Sequence, residues 1–254
     1  MAITIKSERE IELMAEAGKI LERVHNELEK ALHPGMSTKD IDTLGEKIIR
    51  SYGCISSFLN YNGYPASICV SVNQEVVHGI PDKHRIIHEG DIVSLDAGVI
   101  YKGYHSDAAR THAVGEVSEE AKKLIQVTKE CFFEGIKYAK AGNHLFDISG
   151  AIGRYAEERG YGVVRDLCGH GIGTALHEAP EIPNYEVGRK GVKLRPGMTL
   201  AIEPMINIGT YEVDWLDDDW TVVTRDGSLS AHYENTILIT EGEPRILSLT
   251  CDNE

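Results

Sequence analysis

Long hydrophobic runs are absent from this sequence. Its longest apolar stretches are only a few residues, far shorter than the roughly 20 residues that a membrane-spanning helix needs. The opening stretch MAITIKSEREIELMAEAG is acidic by residue 10, and it lacks the apolar centre of a signal peptide. We therefore expect a cytoplasmic protein with no membrane partner.

Paired cysteines and an excess of positive charge are also missing. The five cysteines are scattered at positions 54, 69, 131, 168 and 251, with no Cys-x-x-Cys motif. Free thiols in a reducing compartment are therefore expected rather than a disulfide framework. The net charge is −14, which argues against nucleic acid as a direct partner because phosphate backbones attract basic surfaces.

The sequence does contain a hidden internal repeat. The stretch at 34–53 resembles the stretch at 141–160, and EGDIVSLDAG at 89–98 resembles PGMTLAIEPM at 196–205. One match would carry little weight, but six at one offset are hard to obtain by chance. The six pairs, each separated by 107 positions, are Gly35–Gly142, Asp40–Asp147, Ile41–Ile148, Gly53–Gly160, Gly90–Gly197 and Asp96–Glu203.

Both halves of the repeat show the same order of elements. The apolar spacing predicts a long helix over 8–32 and another over 118–140, each followed by a glycine turn and a second helix that begins near Asp40 or Asp147. Strands are predicted at 67–72, 91–99, 104–114, 163–168, 198–203, 221–224 and 233–239. We predict an α+β fold in which helices cover one face of a curved antiparallel sheet. It forms a single domain over 1–254, with halves of about 1–115 and 116–254 related by a pseudo-two-fold axis and a site between them.

Acidic residues end the strands that the repeat relates. Asp96 follows IVSL and Glu203 follows TLAI, and a carboxylate at the end of a buried strand is costly unless something pairs with it. Asp107 lies on the predicted partner strand, and a turn centred between residues 101 and 102 would set it directly opposite Asp96. Glu234, on the last strand, can play the same part for Glu203. Like charges placed so closely call for a cation between them.

Two histidines lie seven positions apart in CGHGIGTALHEAP, residues 168–180. The glycines between His170 and His177 disfavour a helix, so the two rings are expected to point in different directions. Four carboxylates and one histidine suit two divalent metal ions sharing bridging carboxylates. This oxygen-rich set favours manganese, iron or cobalt over a structural zinc site, although zinc can also bind such ligands. Glu178, after the second histidine, is interpreted as solvated loop charge.

Taken in order, these motifs resemble the methionine aminopeptidases, most closely the type I bacterial form. They are HGIPD, LDAG, YHSDAARTHAVG, CGHGIGTALHEAP, IEPM and AHYENTILIT, and they cover nearly the whole chain. The resemblance implies the pita-bread fold, which agrees with the repeat. It implies metal ligation by Asp96, Asp107, His170, Glu203 and Glu234, with Asp107 and Glu234 bridging and Glu203 also acting as general base. His78 and His177 would instead hold the scissile amide of the substrate.

The same resemblance implies a pocket for a methionine side chain. The alternative for this tyrosine-rich stretch is a turn that packs on the core. The family commonly has phenylalanine before the second histidine, and this chain has Leu176, a departure that concerns the pocket wall and not the chemistry. Asn73 and Ser230 match positions that hold a monovalent cation in relatives. The expected pocket residues are Phe58, Tyr61, Tyr64, Cys69, His78, Leu176 and Trp220.

We therefore expect a monomeric dimetal enzyme that removes the initiator methionine from nascent polypeptides with a small second residue. An Xaa-Pro aminopeptidase or dipeptidase of the same fold is the alternative enzyme. Those proteins usually carry an extra N-terminal domain, whereas the first repeat begins here within about ten residues of Met1. A type II enzyme would have a long insertion after the second histidine, but only 26 positions separate His177 from Glu203. A non-catalytic binding protein on this scaffold would be expected to have lost ligands.

Overall fold

The computed structural model describes residues 3–249, so Cys251 lies outside the described residues. The other four cysteines are free thiols, as expected. No helix in the described range is long and apolar enough to cross a membrane. Helices lie where the sequence predicts them, in chain order α1 (Glu8–Ala31), α2 (Thr38–Ser51), α3 (Glu119–Ile136) and α4 (Leu145–Glu157), with a short 3₁₀ turn at Tyr61–Gly63.

The prediction for the end of α3 was four residues too long. The backbone N–H groups of Tyr138 and Ala139 donate to the carbonyls three residues earlier, at distances of 3.0 Å. This tighter bonding closes the helix, and the chain then enters the glycine turn before α4.

Most strands are short and antiparallel. The predicted strand over 163–168 is wrong beyond its first residue, because only Gly162 and Val163 pair with a neighbouring strand. Fifteen strands lie within residues 3–249: β1 (Ile55–Ser56), β2 (Ile68–Val72), β3 (Glu75–Val77), β4 (Ile92–Tyr101), β5 (Tyr104–Ala113), β6 (Gly162–Val163), β7 (Gly169–Gly171), β8 (Glu178–Ile182), β9 (Thr199–Ile202), β10 (Met205–Asn207), β11 (Val213–Trp215), β12 (Val222–Thr224), β13 (Ser230–His232), β14 (Asn235–Leu238) and β15 (Arg245–Ile246).

The repeat is visible in the backbone as well as in the sequence. Gly35 and Gly142, at equivalent positions, both have φ of +94°, a conformation that glycine adopts without steric cost. Asp40 then accepts a hydrogen bond from the backbone of Ser37, and Asp147 accepts one from the backbone of His144, at 2.9 and 2.8 Å. Both carboxylates thus cap the start of a helix in the same way.

The β4–β5 hairpin has a different register from the predicted one. Asp96 lies opposite Ala109, and Asp107 lies opposite Gly98, so the two acids are diagonal neighbours rather than a direct pair. The reason is the turn: Lys102 and Gly103 both have positive φ, +50° and +87°. Two such residues form the tight connection that matches strand twist, and they move the centre of the hairpin by one residue.

Each half has a large hydrophobic core between its helices and its strands. The side chains on the opposite face of these strands are available to form a site. Helices α1 and α2 cover β4, burying Leu95 and Ala97, while α3 and α4 bury Leu200 and Ile202. Because side chains alternate along a strand, Asp96 points away from the helices. The sheets of the two halves meet at β5, where Ala109 and Glu234 exchange two backbone hydrogen bonds of 3.4 and 3.0 Å.

Candidate metal centre

Four carboxyl groups and one imidazole converge where the halves meet. Asp96 and Asp107 come from the β4–β5 hairpin, and Glu203 and Glu234 come from the positions just beyond β9 and just before β14. The pairs Ile202–Asn235 and Met205–His232 bracket these two glutamates, which therefore lie opposite each other. His170 arrives on β7, beside β9. Asp96, Asp107, His170 and Glu234 are only 8%, 4%, 6% and 2% exposed.

The donor atoms fit divalent metal ions. One oxygen or nitrogen from each of Asp107, His170 and Glu234 lies within 4.8 Å of the others, and His170 Nε2 is 3.6 Å from Glu203 Oε1. Buried oxygens of Asp96, Asp107 and Glu234 have no hydrogen-bond partner among the described residues. Because buried polar atoms are nearly always satisfied, and carboxylate oxygens are ligands for hard and borderline cations, this cluster suits bound metal.

The ring of His170 is oriented for ligation. Its Nδ1 lies 2.9 Å from the carbonyl oxygen of Gly171, which requires the proton on Nδ1 and leaves Nε2 free toward the carboxylates. A metal-binding histidine characteristically donates its other ring nitrogen in this way. Burial lowers the pKa of His170 to about 3, so the ring is in the neutral form that can bind a metal.

The carboxyl groups are held in an environment that opposes their negative charge. Burial raises the pKa of Asp96 to about 8. Burial, and then repulsion from neighbouring acids of the cluster, also raise the pKa values of Asp107, Glu203 and Glu234. Both causes penalise the ionised form, and a bound cation would remove much of this penalty.

His177 and His78 lie beside the cluster but face its open side. The Nδ1 of His177 is 2.8 Å from the hydroxyl of Tyr61. The rings of His177 and His170 meet edge to face, with 4.1 Å between their centroids. His78 has φ of +59°, which is uncommon for a residue with a Cβ, and its ring lies 6.2 Å from that of Trp220.

A single cavity of about 150 Å³ joins these groups. Asn62, which the sequence analysis did not select, also contributes to the wall. Tyr64 lines the cavity and is also buried in a hydrophobic cluster, with its hydroxyl donating to the Gly79 carbonyl at 2.9 Å, so its part in a methionine pocket stays a prediction. The lining contains every expected ligand and pocket residue: Phe58, Tyr61, Tyr64, Cys69, His78, Asp96, Asp107, His170, Leu176, His177, Glu203, Trp220 and Glu234.

Asn73 and Ser230 lie next to each other, away from this cavity. The Ser230 backbone donates to the Asn73 carbonyl at 2.9 Å. The Asn73 side chain accepts from the Ile92 backbone and donates to Asp91. Both residues thus have protein partners, and the monovalent cation site stays a prediction.

The interpretation of Glu178 as solvated charge is wrong. Its carboxylate forms an ion pair with Lys6 at 2.5 Å, with the two side chains 11% and 5% exposed. It also accepts from the backbone of Thr174 and Ala175, at 2.9 and 3.3 Å. Burial alone would raise the pKa of Glu178, but the hydrogen bonds from Lys6 and Thr4 outweigh it and lower that pKa below its usual value. The pair ties the loop that carries His177 to the first residues of the chain.

Lys6→Met is expected to lower the free energy of unfolding by about 3 kcal/mol, because removing one partner of a buried ion pair leaves the other charge unpaired. Urea unfolding of the variant and the unaltered protein, under identical metal conditions, measures the change.

The matched control for this variant is Lys19→Met. Lys19 pairs with Glu16 at 2.7 Å, but these side chains are 46% and 52% exposed, so the expected loss is under about 1 kcal/mol. Equal losses in the two variants would show that the Lys6 pair contributes no more than a surface pair.

Sequence reasoning also missed His232. It lies two residues before Glu234 on the same side of the chain, just as His105 lies two residues before Asp107. Side chains two apart on a strand share a face, and this repeated His-x-Asp/Glu pattern is the signal that could have found it. The ring is 2% exposed, and its Nε2 lies 3.8 Å from Glu203 Oε2.

Comparison with known proteins agrees with this geometry. Residues 12–241 match metallopeptidase family M24. The methionine aminopeptidase of Clostridium acetobutylicum is 58% identical over 247 residues, which are 97% of this chain and 99% of that protein. The crystal structure of methionine aminopeptidase from Thermotoga maritima has a TM-score of 0.96 and 46% identity, covering 98% of this chain and 100% of that one.

The enzymes of the alternative prediction are less similar. The Xaa-Pro dipeptidase from Bacillus anthracis has a TM-score of 0.77 and 28% identity, and the match covers 97% of this chain but 62% of that one. The pita-bread fold expected from the sequence is confirmed by the close structural match to methionine aminopeptidases. The chain is therefore a member of metallopeptidase family M24, and within that family it belongs with the methionine aminopeptidases.

Proposed function

We propose that this protein hydrolyses the peptide bond after an N-terminal methionine, on nascent polypeptides whose second residue is small. The observation that carries the proposal is the single cavity, in which five buried metal-type donors share their space with an aromatic and thiol-lined pocket. The two parts of the cavity have complementary roles: the metal-type donors supply hydrolytic chemistry, and the aromatic pocket selects one side chain.

The five donors would suit two divalent ions, and Asp107 and Glu234 would contribute to holding both. Asp96 and Asp107 come from the first hairpin, whereas His170 and Glu203 come from the second half, with His170 Nε2 3.6 Å from Glu203 Oε1. Bound divalent ions in such a pair lower the pKa of water and polarise a carbonyl. The oxygen-rich ligand set favours manganese, iron or cobalt, with zinc as a further occupant.

Glu203 is the residue best placed to accept a proton from the attacking water. Its side chain is 13% exposed, against 2% for Glu234 opposite it, so it is the more accessible of the two from the substrate side. Burial raises the pKa of Glu203 in the metal-free protein, and a bound cation would oppose this shift.

His177 is proposed to donate a hydrogen bond to the carbonyl oxygen of the scissile peptide. The Tyr61 hydroxyl, 2.8 Å from Nδ1, can donate to that nitrogen and so place the ring proton on Nε2. Burial lowers the pKa of His177, which keeps the ring neutral and its tautomer defined. A donor held in place before the reaction stabilises the charge that develops on the oxygen.

The pocket is proposed to hold the methionine thioether. Tyr64 and Trp220 meet edge to face at 5.1 Å between ring centroids, and Cys69 is buried beside them. Contacts between a thioether and aromatic rings contribute about 0.3–1.5 kcal/mol each. A charged first residue would lose its hydration in this aromatic and thiol-lined pocket.

A panel of short peptides tests the proposal. Met-Gly-Met-Met is expected to be cleaved with a far higher kcat/KM than Ala-Pro or Met-Pro, because the proposed pocket selects methionine as the first residue and the proposed substrate has a small second residue. Faster turnover of the Xaa-Pro dipeptides would assign the protein to the alternative activity, and no turnover of any peptide with added metal would favour a binding protein.

The two tryptophans provide a matched pair for the same assay. Trp220 lines the cavity, whereas Trp215 ends β11 and is 49% exposed. Trp220→Ala is expected to lower kcat/KM for Met-Gly-Met-Met by about tenfold, which corresponds to about 1.4 kcal/mol, while Trp215→Ala leaves it unchanged. Equal values for the two variants would exclude this wall as the methionine pocket.

A further inference from the structure

The backbone of His232 is fixed beside the carboxyl cluster. Its strand β13 pairs with β10, so that His232 lies opposite Met205. The hydroxyl of Thr111 accepts from the His232 backbone N–H and donates to its carbonyl, both at 2.9 Å. The side chain therefore enters the interior from a strand held on two sides, and its position is not the result of a mobile loop.

The imidazole of His232 lacks partners where burial would normally require them. The ring is 2% exposed, and neither Nδ1 nor Nε2 has a hydrogen-bond partner among residues 3–249. A neutral imidazole carries one donor and one acceptor, and leaving such groups buried and unpaired costs about 1–3 kcal/mol each. An unsatisfied histidine in a well-packed interior needs an explanation.

Carboxylate oxygens of two proposed metal ligands lie close to the His232 ring. Nε2 is 3.8 Å from Glu203 Oε2 and 4.0 Å from Glu234 Oε2, about one ångström longer than a hydrogen bond. The donor atoms of Asp107, His170 and Glu234 already lie within 4.8 Å of one another without this ring. His232 therefore lies next to two carboxylates of the proposed ligand set, outside the group of three donors.

We propose that His232 is a positioning residue of the metal centre, whose Nε2–H donates to the Glu203 or Glu234 carboxylate in the metal-loaded protein. This inference rests on the proposed metal ligation by those two residues. A hydrogen bond to a ligating carboxylate fixes its orientation and tunes its basicity, and removing such a partner typically costs 10–100-fold in metal affinity or activity.

Two substitutions separate the hydrogen bond from the packing. His232→Gln keeps an N–H donor in the same region, whereas His232→Phe keeps a ring without one. Mn²⁺ affinity by calorimetry is expected to fall 10–100-fold in His232→Phe and to stay within about threefold of the unaltered protein in His232→Gln. His112→Phe is the matched control, because His112 is also largely buried but faces Glu29 on α1; its Mn²⁺ affinity should not change.

The wild-type protein provides a readout that does not depend on a variant folding. With Zn²⁺ bound, the His232 ring is expected to show a slowly exchanging Nε2–H proton in ¹⁵N-resolved NMR. Equal Mn²⁺ affinity in His232→Phe and unaltered protein would overturn the inference, as would a metal-bound Nε2 without a proton. Failure of the unaltered protein to bind either metal would instead contradict the proposed metal centre itself.

Discussion

Removing divalent metal with a chelator is expected to abolish peptidase activity and to lower the melting temperature at pH 7. One oxygen each of Asp96, Asp107 and Glu234 has no hydrogen-bond partner among residues 3–249, so removal of the ions leaves these buried acids facing one another without a cation. A ligand present at 100 times its Kd stabilises the folded state by about 2.7 kcal/mol. For a chain of this size that corresponds to roughly 5–10 °C.

The size of this effect should depend on pH. In the metal-free protein the pKa of Asp96 is raised to about 8 from an ordinary value of 3.8, and Asp107 is raised as well. As pH rises from about 4 towards 8, the unfolded chain loses these protons before the folded one does, so metal-free stability falls. Metal affinity also weakens at low pH as ligands are protonated. The gain in melting temperature on adding metal should therefore be larger at pH 7 than at pH 5.

Thermal melting with and without chelator, at both pH values, measures this prediction, with peptide hydrolysis assayed in the same samples. The double variant Asp107→Asn, Glu234→Gln is the control, since it lacks the shared carboxylates and should not respond to chelator. Full activity and an unchanged melting temperature of the unaltered protein in chelator would exclude a metal-dependent mechanism.

Substitution of the two neighbouring histidines is expected to give opposite phenotypes. His177→Ala should keep its metal content and lose about 10²–10³ in kcat, or roughly 3–4 kcal/mol, because it removes one preorganised donor to the developing oxyanion. His170→Ala should lose metal affinity, because its Nε2 faces the Asp107 and Glu203 carboxylates at 3.8 and 3.6 Å.

Metal stoichiometry and steady-state kinetics on both variants provide the measurement, with the exposed His84→Ala as a control that should change neither. A metal site emptied by His177→Ala but filled in His170→Ala would reverse the two assignments. Near-normal kcat in His177→Ala would leave the oxyanion without this donor and refute its proposed role.

The acids of the candidate site could be selected from sequence because their signals are local or repeat-related, whereas His78 and the pocket residues came from the resemblance to methionine aminopeptidases. Asp96 and Glu203 each end an apolar strand and share the offset of 107 positions, and an acid in such a place needs a partner. The helix starts were equally accessible, since Asp40 and Asp147 occupy equivalent capping positions. In both cases the signal depends only on a few residues that are neighbours in the sequence.

The register of the β4–β5 hairpin was harder to predict from sequence, because the geometry of a single turn sets it. The sequence placed Asp96 and Asp107 on paired strands, but the positive φ of Lys102 and Gly103 moved the centre of the hairpin by one residue, so Asp96 faces Ala109, two residues beyond the predicted partner. The acids still share a face of the sheet, since side-chain alternation survives a shift of this kind. The chemistry of the cluster is therefore insensitive to the error.

By itself the sequence determined the duplicated α+β architecture, the helix starts and the set of acids and histidines that needed partners, because periodicity, capping and burial cost are properties of neighbouring residues. Only the tertiary structure decided which groups lie next to these side chains. Glu178 forms an ion pair with Lys6, which lies 172 positions away, and the His232 ring, next to Glu203 and Glu234, has no hydrogen-bond partner among residues 3–249. Burial and hydrogen bonding of these side chains depend on strands and loops brought together by the packing of the two halves, which no local pattern encodes.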